Sequence, residues 1–131
     1  MKVLFLVEDY DCVELLAKLP QIKVISESEI VAESPYNNKQ DKVGYSTYVV
    51  SRAENLSKIY KFSRPLAMVL HQSHQHAVER VQHDISVRIV HSKAAPRRLT
   101  DSPSYSCDHT FLTSELTEHT LRDIFGLNAV S

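Results

Sequence analysis

Residues 2–16 read KVLFLVEDYDCVELL. The apolar run Val3–Val7 stops at two acids, Glu8 and Asp9, and a helical pattern follows at once. Five consecutive apolar residues bounded by charge describe a strand covered on both faces, as in a parallel sheet. Cys12, Leu15, Leu16 and Leu19 then recur at helical spacing until Pro20, and Asp11 with Glu14 marks a helix start. A buried strand feeding directly into a helix is the opening of an α/β unit.

The same alternation continues. Strands are expected over 22–26 (IKVIS), 66–72 (LAMVLHQ), 86–92 (SVRIVHS) and 110–114 (TFLTS), with helices over 53–62, 76–84 and 115–126, the last ended by Gly126. Strands alternating with helices imply a three-layer α/β fold, a doubly wound five-stranded parallel sheet of the flavodoxin-like class with order 2-1-3-4-5 and strand one inside. Two stretches break the rhythm of this single domain, 1–131. Residues 31–52 exceed an ordinary connection of about 2–6 residues. Within them YSTYVV has strand character and suits an edge piece, so Tyr45, Tyr48 and Val50 are candidate interface residues for a homodimer or a protein partner. Residues 93–107 carry two prolines and many hydroxyls, and read as loop in place of a fourth helix.

Composition narrows the function. The chain has 131 residues, enough for one core, and a net charge of -1 argues against direct nucleic-acid or membrane binding. With only two glycines, neither in the first turn EDYD, the chain lacks a dinucleotide fingerprint or a P-loop. The two cysteines, Cys12 and Cys107, have no metal spacing and fit a reducing, cytoplasmic setting. No nucleophile elbow appears, and no enzymatic activity is expected.

Sites in an open parallel sheet lie beyond the carboxyl ends of the strands. The residues delivered there are Glu8 and Asp9, His71 and Gln72, His91 and Ser92, and Ser114. Asp9, His71 and His91 form a candidate site for magnesium or a transition metal, since imidazole and carboxylate suit such ions. The plainer alternative is that Glu8 and Asp9 cap the first helix and that the histidines make rim hydrogen bonds. His74 and His76 read as solvent-facing. Arg97 and Arg98, near Lys93, offer paired donors to a phosphate or a nucleotide second messenger.

Four segments, KVLFLVEDYDCVELLAKL, RPLAMVLHQ, DISVRIVHS and DHTFLTSELTEHTLRDIF, together resemble the receiver domains of bacterial response regulators. The resemblance puts Glu8 and Asp9 on the magnesium-binding acids, His71 on the phosphoacceptor aspartate, and His91, with Ser92 beside it, on the hydroxyl position. Ser114 falls on the lysine position and Phe111 on the switching aromatic. The acceptor carboxylate and the lysine are thus both replaced, and no Asp or Glu occurs anywhere in 65–78. An acyl phosphate needs that carboxylate. The resemblance therefore implies a degenerate receiver with a vestigial phosphorylation site. It would serve as a protein-interaction module in signal transduction or transcription regulation, with a ligand sensor at the rim as the alternative.

Overall fold

A computed structural model describes residues 1–32, 42–60, 64–94 and 105–128. Five strands, β1 (Lys2–Val7), β2 (Lys23–Ser26), β3 (Leu66–His71), β4 (Ile85–Val90) and β5 (His109–Leu112), form one sheet in which every pairing is parallel. The helices are α1 (Asp11–Ala17), α2 (Glu27–Ile30), α3 (Lys42–Ile59), α4 (Ala77–Arg80) and α5 (Glu118–Ile124). The expected α/β class with a five-stranded parallel sheet is what the chain adopts.

Across the sheet the strands run β2-β3-β1-β4-β5. Relative to the series 2-1-3-4-5, β1 and β3 exchange places. Leu4 stands opposite Met68 on one side and Ser86 on the other, while Ile25 of β2 pairs with Met68. Both VLFLV and LAMVL are apolar on both faces, so their patterns fit either inner position. β1 is central, as its run requires: Val3 through Val7 are all fully buried.

Alternation of side chains then builds two cores. Val3, Phe5, Val7, Ala67, Val69, Val87 and Ile89 face α1 and α5, where Phe5 meets Phe125 at 6.3 Å between ring centroids. Leu4, Leu6, Leu66, Met68 and Leu70 face α3 and α4. Gly126 ends α5 with φ +71°, and the Leu127 N–H returns to the Arg122 carbonyl at 2.8 Å. That closure satisfies a terminal carbonyl through a residue without a Cβ penalty.

The largest correction lies in α3. Tyr45–Val50 is helix, continuous with the helix expected from residue 53. Tyr45, Val49, Ala53 and Ser57 recur every four residues and are buried, as is Val50. Helical spacing of the buried face outweighs the β preference of individual Tyr and Val residues. Tyr45 and Val50 are therefore core residues and present no edge strand to a partner. Elsewhere β3, β4 and β5 end at His71, Val90 and Leu112, short of their expected ends, and Thr113–Glu115 is a 3-10 turn after β5. Residues 33–41 of the expected insertion and 95–104 of the expected loop, Arg97 and Arg98 included, lie outside the described residues. Among the described residues no helix is long and apolar enough to cross a membrane.

Candidate functional site

β1 leads into α1 on one face of the sheet, whereas β3 leads through a 3-10 turn into α4 on the other. His71 and His91 do not end adjacent strands; they stand on either side of Glu8 and Asp9.

The two acids are engaged with backbone. Asp9 Oδ1 accepts the Asp11 N–H at 3.1 Å, which anchors the first turn of α1. Glu8 Oε2 accepts the His91 N–H at 3.3 Å, across to the end of β4. His91 Nε2 lies 3.9 Å from Asp9 Oδ2, but both side chains are about a third exposed, so the pair is weak. His71 turns away: its Nδ1 accepts the Ser73 N–H at 3.0 Å. The expected triad of Asp9, His71 and His91 is thus not assembled, and no three metal-ligating residues converge among the described residues. The cause is local, because His71 folds back over the 3-10 turn Gln72–His74 that follows its strand.

At the other end of the rim, Ser92 and Ser114 stitch β4 to β5. The Ser92 hydroxyl lies 2.9 Å from Thr113 Oγ1 and accepts the Ser114 N–H at 2.8 Å. Phe111 packs against the α1 side of the core, 6.0 Å from the His109 ring. Arg88, nearly buried on β4, sits 6.0 Å over the Tyr105 ring.

The strongest constellation is one that motif spacing did not bring out. Glu27, first residue of α2, is 5% exposed, and His74 is 3% exposed rather than solvent-facing. His74 Nε2 lies 2.9 Å from Glu27 Oε1. The same oxygen accepts the His71 N–H at 3.1 Å, and Tyr45 donates its hydroxyl to Oε2 at 2.9 Å. The Tyr10 hydroxyl reaches this carboxylate too. Burial alone would raise the Glu27 carboxyl, yet His74, the His71 N–H and Tyr45 hold it down to about 2. Burial and the Glu27 charge push both tyrosine hydroxyls well above their usual range. Beyond His74 the chain of contacts continues. Ser46 Oγ is 2.9 Å from His74 Nδ1 and 3.3 Å from His76 Nε2.

Four remote segments meet here: the start of α1, the end of β2, the turn after β3, and α3. The only signal in the sequence was a carboxylate directly after a predicted strand, at the same strand-end position as Glu8. Beside this network opens a cleft of about 470 Å³ lined by Gln75, His76, Val78, Glu79, Tyr105 and Ser106. No protein-family model and no curated protein matches the chain.

Proposed function

We propose that the chain is a receiver-like interaction module that accepts no phosphoryl group and serves signalling or transcriptional control through a protein partner. One observation carries this reading: the acids at the end of β1 are turned to backbone N–H groups, and the strand paired with β1 ends in His71 instead of a carboxylate. Exchange of β1 and β3 moves His71 further from a receiver's acceptor geometry, because it now stands between Glu27 and Asp9 rather than beside β4. Such a domain signals through a standing contact instead of a phosphate-driven one. The test is beryllofluoride with magnesium. Amide spectra and oligomeric state stay unchanged if the reading holds; a saturable change at Glu8 or Asp9 refutes it.

A second reading, a small-ligand sensor at the rim, is favoured by the cleft beside His76, whose size falls within the range of small-molecule sites, about 300–1,000 Å³. Thermal shift with cyclic dinucleotides separates the two, since stabilisation that depends on His76 selects the sensor.

A further inference from the structure

Glu27, His74 and Ser46 form a continuous line of two short hydrogen bonds. A carboxylate oxygen only accepts, so the Glu27 contact assigns the proton of neutral His74 to Nε2. Nδ1 is then the lone-pair nitrogen, and Ser46 must donate its hydroxyl proton to it. His76 Nε2, on the other side of the same oxygen, is left to act as donor. An acid that orients an imidazole, whose second nitrogen faces a hydroxyl, is the arrangement that makes serine a nucleophile. Ser46 itself is only half-buried, whereas the two groups behind it are closed off from water. His76, 3.3 Å from the Ser46 hydroxyl, lines the adjoining cleft.

We infer that Ser46 is a nucleophile that accepts an acyl group from an activated ester, with His74 as its general base and Glu27 as the positioning residue. In the step, the Ser46 Oγ–carbonyl carbon bond forms and the ester's carbon–oxygen bond breaks. The alcohol leaves with the bonding pair. The Ser46 proton passes to His74 Nδ1 and from there to the leaving group or to water. Glu27 stabilises the imidazolium during the step, a task suited to a carboxyl held ionised down to low pH. This inference is independent of the interaction-module reading, which concerns the rim acids.

The test uses the full chain and p-nitrophenyl acetate. A stoichiometric burst of p-nitrophenolate is expected, with peptide mapping placing one acetyl group on Ser46. Ser46→Ala removes the burst while the chain still folds, since alanine suits a helix. His74→Gln slows acetylation of Ser46 roughly a hundredfold, the usual scale for losing a general base. If that variant does not fold, Glu27→Gln carries the same question through its pH profile. The groups around His74 are Glu27, the Tyr45 ring at 5.8 Å, the His71 ring at 6.5 Å and, through Ser46, His76. Only Glu27 among them is an anion, so its neutralisation moves the ionisation that governs acylation to lower pH. A merely structural Glu27 would lower the amount of folded protein without moving that midpoint. Acetyl groups found on surface lysines with Ser46 unmodified, or a burst that survives Ser46→Ala, would overturn the inference.

Discussion

At the scale of single residues, Glu27 has the greatest leverage. His74, the His71 N–H and Tyr45 hold its carboxyl down to about 2 in the folded chain, against 4.5 when free. A depressed folded value stabilises the fold above the unfolded value, and this contribution is lost as pH falls through the folded one. A shift of that size corresponds to about 3 kcal/mol, lost between roughly pH 5 and pH 2. Acid titration monitored by circular dichroism should show wild type losing stability across that window and Glu27→Gln losing much less. Removing the side chain altogether, Glu27→Ala, leaves the His74 ring N–H, the His71 N–H and the Tyr45 hydroxyl without their acceptor, at about 1–3 kcal/mol in urea unfolding for each donor left buried. Against a typical total of about 5–15 kcal/mol, that brings the chain close to unfolding at 37 °C. Cys12 gives a second expectation. Burial foremost, with the Asp9 charge, pushes its thiol up to about 12, and its side chain is enclosed by the α1-side core. Iodoacetamide at neutral pH should leave Cys12 unmodified until the chain unfolds.

At the scale of elements, α3 shows where sequence patterning misleads. Tyr45, Tyr48, Val49 and Val50 each favour strands, and together they suggest an edge piece. Yet the buried positions fall four residues apart and continue into Ala53 and Ser57. Periodicity across the whole segment was the better signal than local propensity. A lysine at Val50 should therefore unfold the chain rather than split a dimer, because an uncompensated charge would enter a fully buried site. Ile59, on the same helix but 71% exposed, should accept lysine within about 0.5 kcal/mol. Urea midpoints of the two variants decide the point, and a folded monomeric Val50→Lys protein would contradict it. The strands were legible because their burial is two-sided and leaves continuous apolar runs. The Glu27 network was not, since it joins residues 18, 28 and 44 positions apart and such proximity carries no local pattern.

At the scale of the molecule, α/β class and parallel pairing followed from the alternation of elements, and the central place of β1 followed from VLFLV. The neighbours of β1 did not follow, because two equally apolar strands compete for the inner positions and nothing in either run ranks them. That competition is resolved only by the crossovers. The chain passes from β1 over the place of β3 to reach β2, and later from β3 over β1 to reach β4.

This strand order has a consequence for synthesis on the ribosome. The first two strands to emerge do not pair with each other, and β1 finds its partners only at Leu66–His71 and Ile85–Val90. For the first half of translation the chain owns two apolar strands and no ladder. β1 must await contacts more than sixty residues away and β2 contacts more than forty away, a demand that slows folding and exposes nascent apolar surface. A fragment ending at Tyr60 should thus show helix from α3 but no protected strand amides in hydrogen exchange, and should bind a holdase. Extension past Val90 should restore protection to β1 in one cooperative step.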